Sequence, residues 1–248
     1  MNNPPVIPDL IGDLIWLESI DSTNSEALRR LPELPSGAIL AAREQTAGRG
    51  QRGNTWFTEP GKNLTFSIVL KPSSLAAGEA HLLNYLASVA VAEFLESYGV
   101  QCSIKWPNDI YVGRKKICGI LVENSLSGGC VAASVIGIGI NINQTDFPQL
   151  ANATSLSLAT GCEYVLEDCL KAFMTVFEAW FPRLKDLPEA YTSRLFQKGV
   201  QARYIDYLRD GEEFTGTISS VSPDGRLIIK TDAHEERLYR FKEVGYIL

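Results

Sequence analysis

The order of periodicities along the chain predicts an α+β fold that ends in a small β-barrel. Three observations carry that reading. Short alternating apolar segments recur through the first 140 residues. Two longer segments carry apolar residues at three/four spacing, as helices packed against a core do. After Arg203 the texture changes to short strands separated by turn residues, within about 45 residues, the size of a small barrel.

Residues 14–20 read as a strand, and Asp21, Ser22, Thr23 and Asn24 offer capping oxygens to a helix over 25–30. A buried strand over 38–42 leads into a glycine-rich loop over 46–61, and 64–70 alternates as a further strand. The clearest helix spans 79–98, where Leu82, Leu86, Val89, Ala90 and Phe94 share a face and Gly99 marks the stop. Strands follow over 100–105, 117–123 and 131–138. The last two pair as a hairpin around Ser127-Gly128-Gly129, and 131–138 is available as an edge that could pair across a homodimer. A second helix runs over 167–184, with Pro182 predicting a bend near its end. Barrel strands are expected over 213–221, 226–231 and 236–241, so the domains divide as 1–200 and 201–248.

Composition narrows the function. Hydrophobic content of 45% and charged content of 21% are ordinary for a globular protein with a sizeable core. No apolar run reaches the roughly 20 residues of a membrane-spanning helix. The first ten residues hold three prolines and no lysine or arginine, unlike a secretory signal. A cytoplasmic location follows as the expectation. The five cysteines form no CxxC pair, which supports neither a zinc site nor a redox motif, and they read as small buried thiols. A net charge of −6 argues against a general nucleic-acid binder. Two segments are nevertheless locally basic. Arg43, Arg49, Arg52 and Lys62 face only Glu44 and Glu59, while Lys105, Arg114, Lys115 and Lys116 face only Asp109. That pattern suggests a confined anion site, such as one for a nucleotide.

Three segments hold the candidate chemistry. In Gly48-Arg49-Gly50-Gln51-Arg52-Gly53-Asn54-Thr55-Trp56, glycines let backbone N–H groups approach a phosphate and arginines can fork onto anionic oxygens. It matches neither the P-loop pattern nor the dinucleotide fingerprint. By spacing alone it is equally a solvated surface loop. In Lys105-Trp106-Pro107-Asn108-Asp109 the proline and the Asn/Asp side chains fix a turn, and Lys116 then opens an otherwise apolar strand. Taken singly, that is also a hairpin turn with a surface lysine. In Gly137-Ile138-Gly139-Ile140-Asn141 the alternating glycines admit a close neighbour or ligand, or simply a packed core. The two histidines join no constellation: His81 reads as a helix-surface residue and His234 as a turn residue.

Taken together and in order, with Asp21-Ser22-Thr23-Asn24 ahead of them, these segments resemble the biotin–protein ligases, whose pattern is DSTN, GRGRxGxxW, KWPND with KxxGIL, then GIGxN. The resemblance covers about 16–143 and implies a mixed-sheet, class II synthetase-like biotin/lipoate ligase domain followed by an SH3-like barrel. It implies ATP with Mg²⁺, biotin as substrate, and a biotin carboxyl carrier domain as the partner that accepts biotin. Ser22, Thr23, Asn24 and Gln45 would bind the ureido head of biotin, with Gly48, Arg49 and Lys116 near its carboxylate. Arg49, Gln51, Arg52, Trp56, Asn108 and Asn141 would meet the nucleotide, and Lys116, Arg49 and Asp109 would serve the chemistry. The resemblance leaves the metal ligands unassigned.

Two departures stand out. The chain has neutral Gln51 where the family commonly has arginine, which implies weaker retention of the adenylate. About 20 residues precede the DSTN motif, too few for the DNA-binding domain of bifunctional members, so no DNA partner is expected. The barrel's seven basic residues against nine acidic ones agree with that. The rival readings are a lipoate- or octanoate-transferring enzyme of the same superfamily, and a non-enzymatic binding module.

Overall fold

The computed structural model describes residues 13–148, 150 and 152–247, with the side chain of Arg52 outside the description. Seven strands form one sheet: β1 (Leu14–Ile20), β2 (Ile39–Gln45), β3 (Leu64–Leu70), β4 (Ser103–Lys105), β5 (Asp109–Val112), β6 (Lys115–Ser127) and β7 (Cys130–Ile140). Their spatial order is β1-β2-β3-β7-β6-β5-β4. β1 runs parallel to β2 and the other pairings are antiparallel, so the sheet is mixed.

Among the described residues five α-helices accompany it: α1 (Thr23–Arg29), α2 (His81–Ser97), α3 (Leu156–Thr160), α4 (Leu166–Ala179) and α5 (Leu187–Ser193). Alternation along β3 and β7 sends Phe66, Ile68, Leu70, Ile136, Ile138 and Ile140 into the main core with α2 and α4. Phe66 and Phe173 meet there edge to face at 5.2 Å. α2 is buried nearly all round because α4 and α5 cover the side that the sheet does not, with Tyr85 stacked on Tyr191 at 3.9 Å. Val69 and Val135 point the other way and pack with Ala27 of α1 in a smaller core. Ser67, Gly137 and Gly139 share that second face, and it carries the site.

The C-terminal strands β8 (Gln201–Asp206), β9 (Glu212–Val221), β10 (Leu227–Thr231), β11 (Glu236–Tyr239) and β12 (Val244–Tyr246) form a five-stranded antiparallel sheet of SH3-like kind, in the order β11-β10-β9-β8-β12. It shares the main core through Tyr204, Ile218, Leu227 and Tyr239. Trp106 also donates its ring N–H to the Gly225 carbonyl at 3.2 Å. No helix among the described residues is long and apolar enough to cross a membrane.

Several expectations need correction. β7 is interior, hydrogen-bonded to β3 on one side and β6 on the other, so 131–138 offers no free edge for dimer pairing. The first helix begins at Thr23 with Ser22 as N-cap, but the Ser22 side chain makes no capping bond. Thr23 and Asn24 are instead bonded to partners on other strands. The second long helix stops at Ala179; beyond it Pro182 lies in a 3-10 segment where Arg183 leaves helical geometry (φ −118°, ψ 22°). His81 is no surface residue: it is half-buried, its ring packs against Gly225, and burial lowers its pKa. His234 is the exposed turn residue expected, with φ 61°. Cys118 and Cys169 are buried and Cys102 half-buried, but Cys130 and Cys162 are exposed.

Candidate active site

A cavity of about 650 Å³ opens between the second face of the large sheet and the C-terminal barrel, within the range of small-molecule sites. Its closed end is polar. Thr23 donates from its backbone N–H (2.8 Å) and its hydroxyl (3.1 Å) to Gln45 Oε1. Ser67, fully buried in the mostly apolar β3, donates to Asn24 Oδ1 at 2.6 Å and lies 2.8 Å from Thr23 Oγ1. Asn24 Nδ2 donates to the Leu121 carbonyl at 3.2 Å and to Glu123 Oε2 at 2.9 Å. Thr23 and Asn24 are each 3% exposed, so these dipoles are fixed before any ligand arrives.

Glycine makes this closeness possible. A Cβ at Gly137 would lie 2.1 Å from Asn24 Oδ1. Gly119 and Gly139 are direct partners in the β6–β7 ladder, and the Trp56 indole lies over both. A Cβ at Gly139 would come within 2.4 Å of that ring. The loop that carries Trp56 turns back on itself: Trp56 donates to the Gly48 carbonyl, and Gly50 to the Asn54 carbonyl. A Cβ at Gly48 would lie 2.3 Å from the Trp56 carbonyl oxygen, so Gly48 shapes the loop.

The other end is cationic. Arg49 reaches Glu123 with both terminal nitrogens, at 2.8 and 3.2 Å. The Lys116 ammonium lies 2.7 Å from Asp109 Oδ1 and 5.5 Å from the Trp56 ring centroid. β5 and β6 hold Asp109 and Lys116 together, and the segment at 152–154 brackets Lys116 through backbone bonds to Asn152 and Thr154. The Trp106–Pro107 bond is cis, and the Pro107 carbonyl accepts from Asn84 at 2.6 Å and Tyr191 at 2.7 Å, which fixes the turn against α2 and α5. Gln51 and Trp56 on the wall each bury a polar atom, Oε1 and Nε1, that has no hydrogen-bond partner among the described residues, and Trp56 Nε1 lies against Gly139.

Of the residues singled out in the sequence, Thr23, Asn24, Gln45, Arg49, Gln51, Trp56, Asn108, Asp109 and Lys116 line this one cavity. Ser22, Gly48 and Asn141 are not on its wall. Ser22 is buried behind it, and Asn141 spends its amide on the Thr154 carbonyl at 2.9 Å, anchoring the bracket round Lys116. Asn108 also gives its amide N–H to a carbonyl, that of Ile120. The Arg52 side chain lies outside the described residues. Sequence reasoning placed Lys105 in a basic segment without giving it a role, and it missed Ser67, Glu123 and the barrel residues Tyr207, Phe241, Lys242 and Tyr246. Ser67 left a signal, as a polar residue in the mostly apolar β3, whereas Glu123 stands beside Asn124 and Ser125 in β6 and left none. The barrel residues left none.

The family model for the biotin/lipoate A/B protein ligases matches residues 16–141, the stretch that carries all of the sheet's site residues. The bifunctional ligase/repressor BirA of Bacillus spizizenii is 32% identical over 240 residues, spanning 91% of this chain and 72% of that relative. The chain belongs to the biotin/lipoate A/B protein ligase family. A second relative, the biotin–[acetyl-CoA-carboxylase] ligase of Paracoccus denitrificans, is 42% identical over 132 residues, 51% of this chain and 53% of its own length. Among solved structures, the biotin protein ligase of Aquifex aeolicus in complex with biotin and ATP superposes with a TM-score of 0.74 at 27% identity. That likeness covers 94% of this chain and 97% of the other, so it extends through the barrel as well as the family region.

Proposed function

We propose that this ligase condenses biotin with ATP to biotinyl-AMP and transfers the biotin to a lysine of a biotin carboxyl carrier domain. The observation that carries the reading is the polarity of the cavity: a fixed hydrogen-bonding end at Thr23, Asn24, Gln45 and Ser67, and a cationic end at Arg49 and Lys116. Biotin has that polarity, with a ureido ring at one end of a hydrocarbon chain and a carboxylate at the other.

In the first step a carboxylate oxygen attacks the α-phosphorus, the bond to the bridging oxygen breaks and pyrophosphate leaves. Two anions must meet, and Arg49 and Lys116 offset their repulsion. Asp109 positions the Lys116 ammonium through the 2.7 Å ion pair. Trp56 covers the adenylate and excludes water, while Gln51 borders the nucleotide. In the second step a neutral lysine amine attacks the acyl carbon, and AMP leaves with the bridging oxygen. Mg²⁺ fits this donor set only as an ion held chiefly by the phosphates. Asp109 is the one carboxylate among the described wall residues, and such ions keep few protein ligands. When bound, it would supply further charge neutralisation on the phosphates. Both parts of the chain, 1–200 and 201–248, contribute wall residues, so neither is expected to act alone.

The test is ATP–pyrophosphate exchange with biotin, lipoate and octanoate in parallel. Exchange with biotin supports the reading, and exchange that prefers lipoate or octanoate moves the protein to the sister branch. No exchange by folded protein with Mg²⁺ removes the enzyme reading. Transfer is then read with a biotin carboxyl carrier domain by mass.

A further inference from the structure

Among the described residues, four cationic side chains line the cavity: Arg49, Lys105, Lys116 and Lys242. Arg49 is tied to Glu123, and Lys116 to Asp109. Lys105 is different. It is half-buried at the end of β4, directly opposite Asp109 in the ladder, yet no ion pair joins it to a carboxylate among the described residues. Its ammonium lies 5.1 Å from the ring centroid of Tyr111 and 5.0 Å from that of Tyr246, and donates to the Tyr111 hydroxyl at 3.4 Å. Tyr111 belongs to the large sheet and Tyr246 to the barrel, so the aromatic cage exists only where the two meet. Tyr246 is itself set by the rings of Tyr204 and Phe196.

Ring faces stabilise a cation less than a carboxylate does, and removing an ammonium from water is costly. Burial accordingly pushes the Lys105 pKa down; Asp109 opposes this shift, and Lys116 adds to it. A desolvated, uncompensated cation on a cavity wall is completed by an anionic ligand. Of the other described wall cations, Arg49 and Lys116 have carboxylate partners and Lys242 is exposed to solvent.

We infer that Lys105 is an anion-binding residue for the phosphates of the nucleotide, positioned by Tyr246, so that the barrel completes the nucleotide end of the site. The inference rests on the ligase reading above. It assigns the barrel a direct part in substrate binding, through one ring on one ammonium.

The experiment is calorimetric binding of the non-hydrolysable analogue α,β-methylene-ATP, of AMP and of biotin to the full chain. A charge-assisted contact of this kind corresponds to at least about a tenfold change in affinity. Lys105→Met is expected to weaken the ATP analogue by about that factor or more, with biotin affinity held within about twofold because Thr23 and Asn24 meet its ureido end and Arg49 and Lys116 its carboxylate. Loss for the analogue alone locates the contact at the β- and γ-phosphates, and loss for AMP too locates it at the α-phosphate. Tyr246→Leu is expected to weaken the nucleotide several-fold, and Tyr246→Phe, which keeps the ring, to recover most of that loss. Nucleotide affinity unchanged in Lys105→Met, or an equal loss for biotin, overturns the inference. So does Tyr246→Phe behaving like Tyr246→Leu. A parent protein that shows no exchange with biotin fails the functional reading itself, whatever Lys105 binds.

Discussion

One carboxylate, that of Glu123, joins Asn24 to Arg49: its Oε2 accepts from Asn24 at 2.9 Å while its oxygens hold the Arg49 guanidinium at 2.8 and 3.2 Å. The residue proposed to meet the ureido ring and the residue proposed to meet the phosphate therefore share a single acceptor. Arg49 is held on the loop side before any anion enters, which favours an ordered pocket over a loose one.

Glu123→Ala leaves the buried Asn24 amide with only the Leu121 carbonyl, a loss of about 1–2 kcal/mol that should lower biotin affinity roughly tenfold. The ion pair with Arg49 is partly exposed, so the melting temperature should move little. Glu123→Gln keeps an acceptor for Asn24 and should retain most of the biotin affinity. Calorimetry on the three proteins reads this, and equal affinities would show that Glu123 is a bystander.

Lys116→Ala should reduce pyrophosphate exchange on the order of a hundredfold, the scale for losing one charge-stabilising group. The fold should survive, because the Lys116 side chain is part-exposed and its bracket with Asn152 and Thr154 is made by the backbone. An unchanged rate removes Lys116 from the mechanism.

Gly137→Ala places a methyl 2.1 Å from Asn24 Oδ1, and Gly139→Ala places one 2.4 Å from the Trp56 ring. Overpacking of that kind costs about 1–3 kcal/mol, so biotin binding should fall about tenfold or more for the first variant. Neither glycine has a positive φ, so the strand itself tolerates the methyl. Circular dichroism should be unchanged; parent-like biotin affinity in Gly137→Ala would contradict the geometry.

Gln51 borders the cavity with its Oε1 unpartnered among the described residues, where an arginine could fork onto phosphate. Gln51→Arg is therefore expected to slow release of the adenylate about tenfold, a typical charge-assisted increment. Chasing labelled adenylate from both proteins decides the point, and equal release rates sink it.

Only thiolates react quickly, and burial disfavours the charged form. Burial holds the Cys118 thiol well up, raises that of Cys169 and pushes Cys102 up to about 12, while Cys130 and Cys162 are exposed. A chromogenic disulfide reagent at pH 8 should therefore titrate two thiols rapidly in native protein and five after denaturation. Rapid reaction of more than two in the folded state would contradict the packing of β6 and α4.

Much of the fold was legible in the sequence because period and composition act locally. Strands β1 and β3 fall on the predicted spans 14–20 and 64–70, and α2 loses only its first two and last residues. The short elements β5 and β12 were not legible, since three or four residues carry no measurable period. The interior place of β7 was not legible either. A run of Val and Ile fits an edge as well as a centre, and only pairing with both β3 and β6 settles which.

The sequence by itself determined the α+β class, the family, and the three loops and strands that carry the charged and glycine residues of the site. These follow from side-chain chemistry and spacing within short stretches of chain. Tertiary structure alone decided which residues meet: Ser67 behind Asn24, Glu123 between Asn24 and Arg49, and Tyr246 over Lys105. Those contacts join residues dozens to more than a hundred positions apart. A polar side chain's partner is fixed by where the sheet and the barrel bring it, and no local pattern records that distance.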